Sequence, residues 1–471
     1  MDIQKVKQKN FKKENKTMTK RKFSVLKLLT TTVLTMILSL SLAMPVFACG
    51  IPTGAPITGT ETEPAEAAIT KLFKMPVGTP VPEYVFNFEF TKESVNGSSA
   101  TADLAKMPDI GPLEADFADS YEVINLNDNG VKSVFIETES IFAGKTWPNA
   151  GEFVYSVEEE QDNNIPLGTG ANGIVDKLAY SQAKYEIAVY VKEKAGAPGQ
   201  YYVYAIAARI IVKDDSNKDE PDGSKVNPQP GGDPDISGDY SKMIFTNYYL
   251  KNNGGTDPKA HSVLDVSKEV TGDYGDKTKY FQFGVMATKP ATVVDDPATP
   301  STYIAYVMEK DADGNAVVVA NIASNVLGLD PAKIKTGAHG SYIEFTTGQA
   351  LTVYLKHDQW LAFIDMPVGS GFKVDESANL NYTPTVFVTA YEASNLEING
   401  TLSSAVGTDA RYIGNDPFTN LARFVNLAED MTPTGLSVNN LPFVLLIVLA
   451  LGALSGYAVF KYRRKGYTTS A

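Results

Sequence analysis

Alternation of apolar and polar side chains is the feature that most constrains what this chain can fold into. It recurs at residues 84–90, 185–191, 201–212 and 303–307, and clusters of Gly, Asn and Asp separate these segments. Successive side chains of a strand point to opposite faces, so the pattern is typical of strands with one buried face. Helical periodicity is absent between the two hydrophobic ends of the chain. The sequence therefore predicts an all-β protein.

The length of the alternating region predicts more than one domain. Roughly four hundred residues separate the two hydrophobic ends, enough for two or three domains. Regular spacing of strands and turns fits tandem β-sandwiches of immunoglobulin-like type, although the Cys-Trp-Cys signature of antibody domains is missing. We predict one sandwich at residues 66–252, with a polar loop at 214–240, and a second at residues 260–430.

The N-terminus is predicted to be a secretory signal peptide, residues 1–48. A basic segment precedes an apolar run at 28–42, and small residues follow at the expected cleavage site. A flexible leader rich in Pro and Thr, residues 49–65, comes next. The sequence leaves two alternatives open: translation starts at the first methionine or at Met18, and Cys49 is lipidated or the protein is simply secreted.

The C-terminus, residues 431–471, resembles a sortase sorting signal. Met431-Thr432-Pro433-Thr434-Gly435 precedes an apolar run at 441–460, and a basic tail at 461–465 follows. The run has the length of a helix that spans a bilayer, and the basic tail marks its cytoplasmic side. A sortase would cut between Thr434 and Gly435. The alternative is a permanent membrane anchor.

Composition excludes several classes of function. The net charge of −13 opposes a nucleic-acid surface, and the three histidines lack the spacing of a metal site, so we expect no nucleic-acid partner, no metal and no cofactor. Asp311-Ala312-Asp313-Gly314-Asn315 is half of a calcium loop without its closing Glu, and we interpret it as a turn between strands. The single cysteine allows no internal disulfide in an exported protein, so another source of stability is expected.

Three polar residues recur in the same order in the two halves of the chain. They are Lys71, Glu159 and Asn247 in the first half, and Lys268, Glu376 and Asn426 in the second. Strand parity places each of them on the same face as apolar neighbours, so all six are predicted to point into a core. Two residues compete for these roles, since Lys74 lies near Lys71 and Asp375 adjoins Glu376. Parity favours the six.

Burial gives these groups a specific chemistry. An apolar core disfavours ionised side chains, so the lysine is expected to be a neutral amine and the glutamate a protonated acid. A neutral amine next to an Asn carboxamide is a nucleophile, and the acid can polarise the amide and carry protons while ammonia leaves. The sequence predicts a Lys–Asn isopeptide bond in each half, with Glu159 and Glu376 as the assisting acids.

This arrangement resembles the streptococcal-type major pilins, which consist of isopeptide-linkage (CnaB-type) domains of immunoglobulin-like fold. The likeness extends from about residue 67 to the C-terminus, and Val157-Glu158-Glu159 and Phe245-Thr246-Asn247 carry it most closely. It implies a structural pilus subunit, not an enzyme, on the surface of a Gram-positive-type cell wall. The implied partners are sortase, neighbouring pilin subunits and peptidoglycan, with the membrane occupied only before sorting.

The resemblance also implies that sortase joins Thr434 of one subunit to a lysine of the next. Lys242 is the nearest candidate, and Lys225 in the predicted polar loop is the second choice. Two other functions remain open at this stage: a wall-anchored adhesin or stalk that does not polymerise, and a secreted glycosidase with paired carboxylates. The glycosidase is disfavoured because Glu159 and Glu376 are predicted to face apolar cores.

Overall fold

The structure is a computed structural model. It describes residues 57–118, 121–124, 130–161, 166–169, 175–214, 223–231, 242–252, 255, 257–260, 262–291, 301–415, 420–428 and 441–465. The predicted signal peptide, Cys49 and the sorting residues Thr434 and Gly435 lie outside these described residues. Within them the chain is all-β, as predicted.

Strands of the first half form two sheets. They are β1 Ile57–Thr58, β2 Thr70–Pro76, β3 Val85–Val95, β4 Leu113–Asp116, β5 Glu122–Ile124, β6 Val131–Glu137, β7 Gly151–Glu159, β8 Lys177–Ala179, β9 Lys184–Glu193, β10 Tyr201–Val212, β11 Lys225–Val226 and β12 Ile244–Leu250. One sheet has the order β1-β10-β9-β7-β3-β4, with β11 on β10, and the other has the order β5-β6-β2-β12-β8. A short helix, α1 (Thr101–Leu104), follows β3.

Strands of the second half form two further sheets. They are β13 Leu264–Thr271, β14 Phe281–Thr288, β15 Thr302–Lys310, β16 Ala316–Val318, β17 Ile334–Gly337, β18 Gly340–Thr346, β19 Leu351–Leu355, β20 Gln359–Ile364, β21 Gly371–Glu376, β22 Tyr382–Ala390, β23 Ala393–Asn399, β24 Val406–Gly407, β25 Arg411–Tyr412 and β26 Leu421–Ala428. The larger sheet has the order β17-β18-β15-β20-β13-β26-β22-β23, with β16 on β15. The smaller has the order β19-β14-β21-β24, with β25 on β21.

The two sheets of each half pack face to face around an aromatic core. In the first half, the ring of Phe88 on β3 lies 5.0 Å from that of Phe245 on β12 in the opposite sheet. In the second half, Phe283 on β14 lies 5.1 Å from Phe424 on β26 in the same way. All four phenylalanines are buried. Alternation along each strand thus produces a two-layer sandwich, because each sheet has one apolar face to bury.

Two strand pairs within these sheets are parallel, whereas the other paired strands run antiparallel. β2 is parallel to β12, and β13 is parallel to β26. In each half, therefore, an early strand lies beside the last strand and points the same way. A bond between them would enclose nearly the whole sandwich.

Several segments differ from the sequence expectation in detail. Residues 57–58, in the predicted leader, form β1 and pair with β10 at Ile206 and Ala205, because Ile57 packs on the core of the first half. Within the predicted polar loop, β11 also pairs with β10. At the C-terminus, a single helix, α2 (Leu441–Lys465), covers both the predicted membrane span and the basic tail, and residues 442–463 are apolar and long enough to cross a bilayer.

Candidate crosslinking sites

The first site lies between the two sheets of the first half. Lys71 on β2 is opposite Phe245 on β12, so Asn247 lies two residues farther along the neighbouring parallel strand. Residues two apart on a strand share a face, so both side chains point at the opposite sheet. There Glu159, the last residue of β7, meets them. Lys71 and Asn247 are 0% exposed and Glu159 is 5% exposed.

One carboxylate oxygen joins the two nitrogens of the first site. Lys71 Nζ donates to Glu159 Oε1 at 2.7 Å, and Asn247 Nδ2 donates to the same oxygen at 2.7 Å. The backbone N–H of Ser181 donates to Asn247 Oδ1 at 2.6 Å and to Glu159 Oε2 at 3.2 Å. Glu159 therefore contacts both the amine and the amide.

The second site repeats this arrangement. Lys268 on β13 is opposite Phe424 on β26, and Asn426 again lies two residues farther along. Lys268 Nζ is 3.0 Å from Glu376 Oε1, and Asn426 Nδ2 donates to that oxygen at 2.6 Å. Glu376 ends β21, which belongs to the opposite sheet. All three side chains are buried.

The Nζ of each lysine lies over an aromatic ring, and the strand that carries this ring pairs with the strand that carries the glutamate. Lys71 Nζ lies 4.6 Å from the ring centroid of Phe86, and Lys268 Nζ lies 4.4 Å from that of Phe281. Two residues later on the same strands, Phe88 is opposite Glu159 and Phe283 is opposite Glu376. The electron-rich ring face attracts the lysine while it is protonated, and it offers no competing hydrogen-bond acceptor once the amine is neutral.

Burial shifts the protonation of both pairs toward the neutral forms. Desolvation lowers the pKa of Lys71 to about 8, against the opposing attraction of Glu159. It likewise lowers the pKa of Lys268 to about 8. The pKa values of Glu159 and Glu376 rise for the same reason, although the facing lysine and the Asn amide act in the other direction. Each core therefore favours an amine and an acid over an ion pair more than water does.

The competing residues take no part in either cluster. Lys74 is opposite Tyr248 in the β2–β12 register and is partly exposed, because its parity differs from that of Lys71. The Asp375 side chain is 54% exposed and lies 3.3 Å from Lys373 Nζ. The six residues chosen by parity are the ones that the structure brings together.

Lys242 occupies a different environment from the one expected of an accessible nucleophile. Its side chain is 9% exposed, and its Nζ lies 2.9 Å from Glu137 Oε1. It also donates to the carbonyl oxygens of Gln229, at 2.6 Å, and Gly231. Lys225, the second choice, lies on β11 and is partly buried. The role of either lysine in joining subunits stays a prediction.

Sequence reasoning missed Ser181, Phe86 and Phe281. Ser181 follows β8, and its hydroxyl accepts a hydrogen bond from the N–H of Ala183 at 3.2 Å. Serine is common in such turns, but its presence in a connecting segment does not predict one. In the sequence, Phe86 and Phe281 do not differ from the other apolar residues of alternating strands. Their place beside the lysines depends on how the sheets stack. Among the described residues, no three His, Cys, Asp or Glu side chains are grouped as a metal site.

Comparison with known proteins adds a family model and several solved structures. Residues 262–416 match the model described as a domain of unknown function, DUF7601. No curated protein matches the chain. The major pilin from Streptococcus pyogenes is 17% identical, with 78% of this chain and 99% of that chain covered and a TM-score of 0.26.

Two further solved structures are similar to the same extent. The T-13 major pilin protein from Streptococcus pyogenes is 14% identical, with 80% of this chain and 100% of that chain covered and a TM-score of 0.24. A pilus-presented adhesin is 11% identical, with 77% and 99% covered and a TM-score of 0.21. The superpositions are loose at these TM-scores, and we infer nothing about function from them.

Proposed function

We propose that this protein is a structural subunit of a pilus shaft. It is exported, tied internally by the isopeptide bonds Lys71–Asn247 and Lys268–Asn426, and joined by sortase at Thr434 to neighbouring subunits and finally to the cell wall. One observation carries the proposal. The same buried Lys–Glu–Asn cluster occurs in both halves, with the same two-residue offset between parallel strands.

The geometry of each cluster fits amide exchange. Lys71 Nζ attacks Cγ of Asn247, the bond from Cγ to Nδ2 breaks, and Nδ2 leaves as ammonia. The proton that Nζ loses reaches Nδ2 through Glu159 Oε1, which touches both nitrogens. One amide replaces another, so the reaction needs no oxidant, cofactor or water. Glu376 serves Lys268 and Asn426 in the same way.

Intact mass tests the internal bonds. The wild-type chain should be lighter than its sequence by two ammonia molecules. Glu159→Ala and Glu376→Ala should each restore one, because each removes one proton carrier. Glu158→Ala is the matched control, since Glu158 is adjacent but its side chain is 51% exposed, and this variant should still be two ammonia molecules lighter than its own sequence. A wild-type mass equal to that of the sequence would exclude both bonds.

Attachment to the surface rests on the sequence of the C-terminus. Thr434-Gly435 precedes a helix whose residues 442–463 are long and apolar enough to span a bilayer. Cleavage there leaves the folded part free of its membrane segment, and the new Thr434 carbonyl forms an amide with an amine of the next subunit. Because Asn426 lies only eight residues before Thr434, the crosslinked strand β26 leads almost directly to this junction.

A wall-anchored stalk or adhesin that does not polymerise is the second candidate, and the burial of Lys242 favours it. An amine that is 9% exposed and paired with Glu137 reaches a sortase only after local opening. Detergent-resistant ladders in wall extracts distinguish the two functions. A ladder that is lost in Lys242→Arg and in Thr434→Ala supports the shaft, whereas a single wall-linked band that is lost only in Thr434→Ala supports the stalk.

A further inference from the structure

The two crosslinking sites differ at one atom, the carbonyl oxygen of the reacting asparagine. In the first site, Asn247 Oδ1 accepts a hydrogen bond from the backbone N–H of Ser181 at 2.6 Å. In the second site, Asn426 Oδ1 is buried and accepts no hydrogen bond from any residue that the structure describes. The lysine, the glutamate and the amide nitrogen are otherwise arranged alike.

Ser181 is held firmly in the position from which it donates. It is 4% exposed, and its hydroxyl donates to Oδ2 of Asp214, which lies two residues after the end of β10. The same hydroxyl accepts from the N–H of Ala183. The hydroxyl is thus held on two sides, and the N–H itself is directed at Asn247 Oδ1 and Glu159 Oε2.

A donor at this atom matters because negative charge develops there. When Lys71 Nζ adds to Cγ of Asn247, the carbonyl π electrons move to Oδ1 and a tetrahedral oxyanion forms. Glu159 contacts the nitrogen side of the amide, so it moves protons but does not face the oxygen that gains charge. A fixed donor in a water-free core stabilises such a charge far more than a donor in water does.

We propose that the backbone N–H of Ser181 is an oxyanion donor for the first isopeptide bond, and that the bond of the second half forms more slowly because no described residue donates to Asn426 Oδ1. Ser181 Oγ and Asp214 are positioning groups that act through this N–H. The inference rests on the proposed function, since it assumes that the bonds form. It adds an order of events: Lys71–Asn247 closes first, and Lys268–Asn426 follows.

A refolding time course tests the order. The full chain, recovered unfolded and shown by intact mass to be uncrosslinked, is diluted from denaturant into detergent-containing buffer, and samples are quenched with acid. Peptide mapping then assigns each lost ammonia to its bond. We expect the first loss to come from Lys71–Asn247. Equal rates, or an earlier loss from Lys268–Asn426, would overturn the inference.

A single-atom change tests the donor itself. Residue 181 is incorporated as the α-hydroxy acid analogue of serine, so the amide between Tyr180 and residue 181 becomes an ester that keeps Oγ and lacks only the N–H. Loss of one oxyanion donor typically slows a reaction about 100-fold, so the first bond should form about 100-fold more slowly than in wild type. The second bond is the internal control and should keep its rate.

The outcomes separate this inference from the proposed function. If the ester variant forms its first bond within about threefold of the wild-type rate, the N–H is not an oxyanion donor, although the crosslink itself stands. If the wild-type chain folds and loses no ammonia, the proposed function fails as well. If the ester variant does not fold, the order of closure in the wild type still decides, because that measurement involves no substitution.

Discussion

At the scale of single residues, the reactivity proposed for each site depends on how many protons its lysine and glutamate hold together. Lys71 and Glu159 are coupled through a 2.7 Å contact, so they titrate as a pair and not as two independent groups. The reactive state holds one proton between them, on the acid, while the amine is neutral. That state is lost when the pair gains a second proton at low pH, and also when it loses its last proton at high pH.

We therefore predict a bell-shaped pH profile for bond formation. Its alkaline limb should have a midpoint near the pKa of about 8 that burial gives Lys71, well below the ordinary value of 10.5. Refolding at a series of pH values, with ammonia loss measured by intact mass, provides the profile. A rate that climbs with pH and stays on a plateau through pH 10 would contradict the prediction, because a free amine acting alone behaves that way.

At the scale of secondary-structure elements, the parallel pairs β2–β12 and β13–β26 determine what each bond achieves. Roughly 175 residues separate Lys71 from Asn247, so the proposed bond would close a long loop and restrict the unfolded chain as a disulfide of that span does. Its effect would exceed that of a single hydrogen bond within the sheet. It would also supply the covalent stabilisation that a chain with one cysteine cannot obtain from an internal disulfide.

Glu159→Gln should lower the free energy of unfolding of the first half by about 5 kcal/mol, the loop-closure value for such a span. The amide of Gln has the shape of the acid but cannot carry the proton, so the core stays filled and the bond does not form. Denaturant titration under conditions of reversible unfolding measures the change. Glu158→Gln is the control and should change stability by less than about 1 kcal/mol, because its ion pair with Lys184, at 3.5 Å, is partly exposed to solvent. An equal effect of the two substitutions would contradict the crosslink.

The turn that contains Gly369, in the second half, packs against Pro76 and Val77 of the first half. Gly369 has a φ of +77°, and a Cβ there would run into Pro76 and approach the carbonyl oxygen of Val77 at 3.0 Å. Gly348 has the same φ, but a Cβ there meets nothing within 4 Å. The two positions therefore carry the same backbone strain and differ only in their neighbours.

Gly369→Ala should destabilise the protein by about 2 kcal/mol more than Gly348→Ala, since the first adds a steric clash to a strain of roughly 1 kcal/mol that both share. Thermal unfolding of the two variants measures the difference. Faster proteolysis at Lys251 and Asn252 is expected in Gly369→Ala alone, because the turn before Gly369 pairs with these two residues. Equal stability of the two variants would contradict this prediction, because it would mean that the turn at Gly369 accommodates a Cβ at no cost in the free energy of unfolding.

At the scale of the whole molecule, the two proposed bonds would define a covalent route for tension. A pull between the N-terminal strands and Ala428 would pass from Lys71 to Asn247, along the chain to Lys268, and on to Asn426. The loops between the crosslinked residues would lie off this route. A subunit with both bonds would transmit force without extending.

Stretching single molecules should show whether the chain between the two residues of each proposed crosslink can be extended. Wild type should show no unfolding event from either half, whereas Glu376→Gln should lengthen by roughly 500 Å as the chain between Lys268 and Asn426 is released at about 3.4 Å per residue. Glu159→Gln should release a similar length from the first half. Release of that length from wild-type protein would show that the crosslink is absent.

Strand parity was sufficient to choose the six residues of the two sites. Each polar residue lies among alternating apolar neighbours, and a buried face follows from that alternation alone. Parity also separated Lys71 from Lys74 and Glu376 from Asp375. The residues that it missed, Ser181 and the two phenylalanines beside the lysines, come from strands or turns far away in sequence, where no local pattern indicates proximity.

The sequence by itself determined the all-β class, the composition of the cores and the identity of the polar residues buried in them, because these depend on alternation within single strands. Only the tertiary structure decided that the early and last strands pair in parallel with a two-residue offset, that one carboxylate oxygen meets both nitrogens, and that Lys242 is enclosed by Glu137 and two carbonyls. The tertiary structure also decided that a backbone N–H donates to Asn247 Oδ1, whereas no residue in the described part of the chain donates to Asn426 Oδ1. The physical reason is that register, sheet stacking and the course of connecting segments arise from contacts between residues far apart in the chain, which no local pattern encodes.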